Sequence, residues 1–203
     1  MKVINWGMIG CGSVAERKSS PAFYKAPGSA LVAVMGRRPA AAQDYATCHG
    51  IAKVYSDAAQ LIADLASHGL DLFQYLLGDI VDVTGCSARQ AGLYAAEDAV
   101  AASWRFANGA LGTGCWSFVA DRREDRVDII GSKGRIGFSV FDEYPVRLDA
   151  DEQLSLQIAN PEHIQWHHVL GMNAHIRGTA RHPAVAAQAL KTDWVMDRIL
   201  GRQ

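Results

Sequence analysis

The sequence predicts an α/β N-terminal unit followed by an α+β unit whose sheet is mainly antiparallel and open. Three observations carry this prediction. A short apolar run at 3–9 ends in a glycine-rich turn and leads into a helical stretch, the strand–turn–helix order of a parallel α/β unit. A second apolar run at 30–35 is continuous rather than alternating, as a strand buried on both faces requires. Beyond Asp64 the chain becomes a series of short strands separated by turn signals such as Asn108-Gly109. The boundary is therefore expected between Ala63 and Asp64, giving units 1–63 and 64–203.

The elements follow in order. Residues 3–9 form the first strand, and 13–25 read as a helix closed by Pro27-Gly28. The strand at 30–35 comes next. Pro39 then stands at the first helical position, which proline favours, and opens a helix over 40–48. A short strand at 52–55 follows, with Asp57 capping a helix over 58–63. Residues 65–77 form a helix stopped by Gly78. Strands are expected at 80–88, 99–106, 111–119, 126–130, 136–141, 146–149 and 154–158, in an antiparallel meander. Two helices, 162–177 and 184–200, stop at Gly178 and Gly201.

Composition removes several function classes. The 203 residues hold 20 Lys and Arg against 21 Asp and Glu, so no broad field favours nucleic acid or an anionic membrane. Trp104, Trp116 and Phe118 have no basic groove beside them and read as sheet packing. No apolar run approaches the roughly 18 residues of a membrane span, and no signal-peptide core follows Lys2. Cys11, Cys48, Cys86 and Cys115 are scattered without a CxxC pair and read as free thiols. A cytoplasmic protein is the expectation. His163, His167 and His168 cluster, but no carboxylate or thiol completes a metal-ligand pattern, so no metal is expected.

The motif richest in chemistry is Gly10-Cys11-Gly12-Ser13-Val14-Ala15, directly after the first strand. This is the glycine turn of a dinucleotide-binding, or Rossmann, unit. Gly10 permits the tight turn, Gly12 lets the backbone approach a pyrophosphate, and Ala15 allows the helix to pack closely. The helix N-terminus then faces the phosphate charge. Only the opening half of such a unit is present before Asp64. At the end of the second strand an acidic residue would bond the ribose 2′-OH of NAD. Here Gly36-Arg37-Arg38 stands instead, and a guanidinium engages a 2′-phosphate, so NADP is expected over NAD.

Several stretches resemble the Gfo/Idh/MocA family of NAD(P)-dependent oxidoreductases. They are 7–12 through Arg17-Lys18, 31–35 with its arginine pair, Tyr55-Ser56-Asp57, the DxxxH pattern of Asp64 and His68, Glu97-Asp98, and 129–134. The likeness extends over nearly the whole chain and is close to members acting on sugars, cyclitols and dihydrodiols. It implies hydride transfer between a nicotinamide and a substrate carbinol carbon. His68 would be the proton-transfer group and Asp64 would help hold the substrate. Four positions apart on a helix, the two share a face. The plainer alternative is Asp64 as a helix cap with His68 exposed at the surface.

The resemblance also implies further parallel strands and a Glu-Lys-Pro triplet beside the nicotinamide. No Glu-Lys-Pro occurs in this sequence, and the place for the missing block is around Asp64. An internal deletion is therefore expected, leaving the first strand as an apolar edge and catalysis impaired or absent. Two readings stay open. One is an NADP-dependent oxidoreductase of a small hydroxyl or carbonyl substrate in shortened form. The other is a non-catalytic module that self-associates through its C-terminal sheet, with a vestigial nucleotide-binding remnant.

Overall fold

The computed structural model describes residues 3–12, 15–36, 38–55, 64–91 and 97–202. In chain order these form β1 (Ile4–Ile9), a π-helical turn (Ala15–Ser19), α1 (Ser20–Lys25), β2 (Ser29–Met35), α2 (Pro39–Cys48) and β3 (Lys53–Tyr55). Next come α3 (Asp64–Leu77), β4 (Ile80–Ala88), β5 (Ala99–Phe106), β6 (Leu111–Ser117), β7 (Val127–Gly131) and β8 (Gly134–Phe138). Then follow β9 (Val146–Asp149), β10 (Gln153–Leu156), α4 (Trp166–Ile176) and α5 (Ala186–Ile199). The helix expected at 58–63 lies outside the described residues. The chain divides into two compact units: Met1–Leu61 with Ala159–His182, and Ile62–Ile158 with Pro183–Gln203.

The first unit carries a parallel sheet in the order β1-β2-β3, with β1 at an edge among the described residues. Its core gathers Leu31, Val34, Tyr45, Ala46 and Ile51, with Trp6, Met8 and Cys11 packed on them. The Tyr45 hydroxyl donates to the Ser20 hydroxyl inside this core, and burial pushes the phenol above its ordinary pKa. Pro39 opens α2 as expected. The helix expected at 13–25 is different in kind. A π-helical turn occupies Ala15–Ser19, and regular α-helix begins only at Ser20. Pro21 accounts for the break, because it lacks the N–H that would bond back to Arg17 and its ring crowds the preceding turn.

Helix α4 also belongs to this unit, which one cut at 63/64 does not describe. Fully buried Val169 packs on Ala22 of α1 and on Ala26 just past its end, flanked by Trp6, Phe23 and Trp166. The buried Asn173 amide donates to the Ser29 hydroxyl at 2.6 Å. The apolar side of α1 needs a cover, and a helix from the far end of the sequence supplies it.

The second unit holds two antiparallel sheets where one meander is expected: β4-β5-β6 and β10-β9-β8-β7. The charged run Asp121–Arg126 separates them, and such residues do not extend a buried strand pairing. The first of these sheets packs on α3 and α5 through Leu70, Ile80, Trp104, Phe106, Val195 and Ile199. Gly112 is glycine for room, since a Cβ there would run into the Trp104 indole. Inside the packing, the Gln74 amide donates to the Thr192 hydroxyl at 3.1 Å, which donates to Asp71 at 3.2 Å. Asn108-Gly109 makes the β5–β6 hairpin, with Gly109 at φ +90°.

The second sheet has two unlike faces. Val127, Ile129, Ile136, Phe138, Val146, Leu148, Leu154 and Leu156 lie on one side by their pairing register. Asp128, Arg135, Arg147 and Asp149 lie on the other. Among the described residues no helix is laid across either face.

Histidines crowd the C-terminal part of the first unit. The His168 and His182 rings meet edge to face at 4.9 Å, and the His182 N–H donates to His175 Nδ1 at 3.3 Å. Burial, and secondarily His182, hold His168 below the ordinary value of 6.5. A histidine that charges more easily unfolded than folded favours the unfolded state in acid. Stability is therefore expected to be full above pH 6.5 and to fall as the pH drops below it. The fall should be shallower in His168→Asn, as read by thermal unfolding across pH 5 to 8.

Candidate functional site

The glycine turn is tied to the end of the second strand. Gly10 N–H donates to the Met35 carbonyl at 2.8 Å, one residue beyond the β1–β2 ladder. Gly10 sits at φ +93°, a conformation that L side chains rarely adopt. A Cβ added at Gly10 or Gly12 would meet nothing within 4 Å, so the backbone here is open on its outer side. The Glu16 N–H then bonds to the Gly12 carbonyl at 3.0 Å, and Ala15 begins the π-helical turn. Ser13 and Val14 lie outside the described residues. An exposed glycine backbone at the carboxyl ends of parallel strands has the form that accepts a dinucleotide pyrophosphate, and these residues fit that group.

Gly36 lies beside this turn. A Cβ on Gly36 would stand 2.5 Å from Cys11 Sγ and 3.1 Å from Ala42 Cβ. The missing carboxylate at this position was legible in the sequence. The packing of Cys11 and Ala42 around it was not, because no local pattern links residues 11, 36 and 42. Arg38 is exposed at the N-cap of α2, with φ −103° and ψ 101°. Arg37 lies outside the described residues.

The structure thus brings Gly10, Cys11, Gly12 and Gly36 together at one end of the first unit. Asp64 and His68 open the second unit on α3. The Asp64 side chain is outside the described residues. His68 is exposed, and its ring meets Phe141 edge on at 5.6 Å. Sequence reasoning missed Phe141, which carries no motif and lies on a distant loop. That loop is fastened by Asp125, whose carboxylate accepts from the Val140, Phe141 and Asp142 N–H groups at 3.0, 2.6 and 3.0 Å. Arg123 adds an ion pair to Asp142 at 2.8 Å.

Near this loop a cavity of about 610 Å³ opens on the polar face of the second sheet, lined in part by Arg126, Asp128, Arg135, Tyr144 and Arg147. Asp128 lies between Arg135 at 2.6 Å and Arg126 at 2.8 Å. The hydrogen bond from Arg135 holds its carboxyl below the usual carboxylate range. Arg126 and Arg135 are thus engaged by Asp128, and none of the residues singled out in the sequence lines this space. Among the described residues no group of three or more His, Cys, Asp or Glu is placed to hold a metal ion, and no helix is long and apolar enough to cross a membrane.

Known proteins give the site its context. Residues 39–137 match the family model described as the GFO/IDH/MocA C-terminal domain. A curated oxidoreductase from Formosa agariphila is 56% identical over 59 residues, which are 29% of this chain and 18% of that protein. An oxidoreductase from Agrobacterium radiobacter, solved with NAD+, L-tartaric acid and magnesium, superposes with a TM-score of 0.71 at 14% identity. The match covers 97% of this chain and 96% of that one. Biliverdin reductase from Synechocystis sp. PCC 6803, solved with biliverdin and NADP+, gives a TM-score of 0.72 at 12% identity. It covers 97% of this chain and 98% of that one. At such identities the two structures show the fold.

The two glycines of the turn should respond differently to one added methyl. Gly10→Ala forces an L residue to φ +93° and should cost about 1–2 kcal/mol in urea unfolding. Gly12→Ala has space and no left-handed backbone, so its cost should stay within about 0.5 kcal/mol.

Proposed function

We propose that this chain, similar to the GFO/IDH/MocA C-terminal domain over residues 39–137, is an NADP-dependent oxidoreductase chain of the Gfo/Idh/MocA family for the hydroxyl group of a sugar, polyol or related compound, with catalysis impaired in this shortened form. The observation that carries the reading is the open glycine turn tied by Gly10 to the end of β2. Gly10, Cys11, Gly12, Ser13, Val14 and Ala15 would hold the pyrophosphate, with Arg37 and Arg38 toward the 2′-phosphate. Bound, the nicotinamide supplies a hydride donor or acceptor. His68 would move the proton at the substrate oxygen, and Asp64 would help hold the substrate.

The choice of NADP rests on this chain's own Gly36 and arginines, since one similar structure was solved with NAD+ and another with NADP+. The hydroxyl substrate is supported by the resemblance and by the L-tartaric acid, a dihydroxy acid, in the Agrobacterium protein. Impairment is supported by the absence of a Glu-Lys-Pro triplet and by the edge position of β1 among the described residues. A positioned acid–base group alone contributes about 10²–10⁴ in rate. A fluorescence titration should find weak NADPH binding, with no NADPH oxidation across a panel of ketoses and oxidised polyols. Substrate-dependent oxidation would remove the impairment, and no binding of either cofactor would remove the dinucleotide reading.

One observation favours a second reading, self-association through the C-terminal sheet. On its apolar face Ile136, Leu154 and Leu156 remain 39%, 48% and 46% exposed, beside half-buried Val127, Ile129, Phe138 and Leu148. A contiguous apolar face of this kind is a pairing surface. Light scattering should report a dimer or larger, and Leu148→Lys should shift it toward monomer. A wild-type monomer would dismiss this reading.

A further inference from the structure

We propose that Cys11 and Gly36 act together as a steric selector for the 2′-phosphorylated cofactor, by closing the space from which a carboxylate side chain at position 36 would start. The proposal rests on the dinucleotide reading above. Gly36 follows the last residue of β2 and is buried. Its φ is not in the left-handed region, unlike that of Gly10, so its backbone does not require glycine. Room is what requires it. A Cβ would stand 2.5 Å from the Cys11 sulfur, closer than real Cβ atoms approach. On its other side Ala42 Cβ would stand at 3.1 Å, with the Ala42 Cα at 3.9 Å behind it.

The sulfur is not free to swing aside without loss. Cys11 is packed against the cluster of Leu31, Val34, Tyr45, Ala46 and Ile51. Turning it outward would abandon that packing and leave a gap. A carboxylate entering at 36 would meet both the overlap and the cost of placing a charge in a buried site. The position that would favour a ribose 2′-OH is therefore shut by a neighbour within the same glycine turn. Recognition is displaced to the exposed Arg38 just beyond, where a guanidinium bonds a phosphate more strongly than a hydroxyl. Two residues far apart in sequence thus form one specificity element, with Ala42 as its back wall.

The test uses the full chain as wild type, Gly36→Asp, Cys11→Ala and the double variant. Calorimetry reads binding of adenosine 2′,5′-bisphosphate and of ADP, and thermal unfolding reads stability. Wild type should favour the 2′,5′-bisphosphate by about tenfold or more. Gly36→Asp alone should melt lower and lose affinity for both nucleotides. The double variant should recover most of the melting temperature and favour ADP, a non-additive pattern expected only of side chains in contact. Gly36→Asp that melts like wild type and already favours ADP would overturn the proposal, as would a double variant no more stable than Gly36→Asp. Wild type that binds neither nucleotide would overturn the dinucleotide reading and this proposal with it. Binding without coupling would overturn the proposal alone.

Discussion

The hydrogen bond from Gly10 N–H to the Met35 carbonyl fixes the functional end of the first unit. The β1–β2 ladder pairs Met8 with Val34 and Ile9 with Met35, and this bond extends it by one step as the chain turns away. To donate there, residue 10 takes a left-handed backbone that glycine alone adopts cheaply. The turn that follows sets Cys11 over Gly36 and brings Ala42 against the same point. A single main-chain contact therefore determines where a ligand backbone can approach and which side chains can stand beside it.

Much of this was legible in the sequence where the signal is local. β4 and β9 fall on the residues expected of them, 80–88 and 146–149, because turn residues bracket apolar stretches of strand length. Pro39 and Gly78 mark a helix start and stop for reasons of backbone geometry. The glycine turn is legible for the same reason. What stayed hidden depends on contacts between distant residues. Pro21 was visible, yet the π-helical turn before it was not, since helical periodicity over 13–25 carries no record of its hydrogen-bond spacing. The division of the β-rich region into two sheets depends on β6 and β7 not pairing, which neither strand encodes alone. Phe141 reaches His68 only through the fastening of its loop by Asp125.

The second unit resolves its two sheets by different means. The β4–β6 sheet spends its apolar face on α3 and α5, and its glycines make way for Trp104 and for the backbone of Ile199. The β7–β10 sheet keeps ion pairs on one face and aliphatic side chains on the other. Cross-strand charges of that kind are exposed and contribute little to stability. That sheet's stability therefore rests on its ladder and on whatever covers its apolar side.

The return of α4 to the first unit has a consequence for how the chain acquires its structure. Asn173 and Ser29 bond across a sequence separation of 144 residues, and Val169 closes a core begun at Ala22. During synthesis the N-terminal sheet therefore waits, with the apolar side of α1 uncovered, until residues 166–176 leave the ribosome. At about 5–20 residues per second that interval lasts on the order of ten seconds. The second unit closes later still, because Val195 and Ile199 of its core lie on α5, which is made after α4.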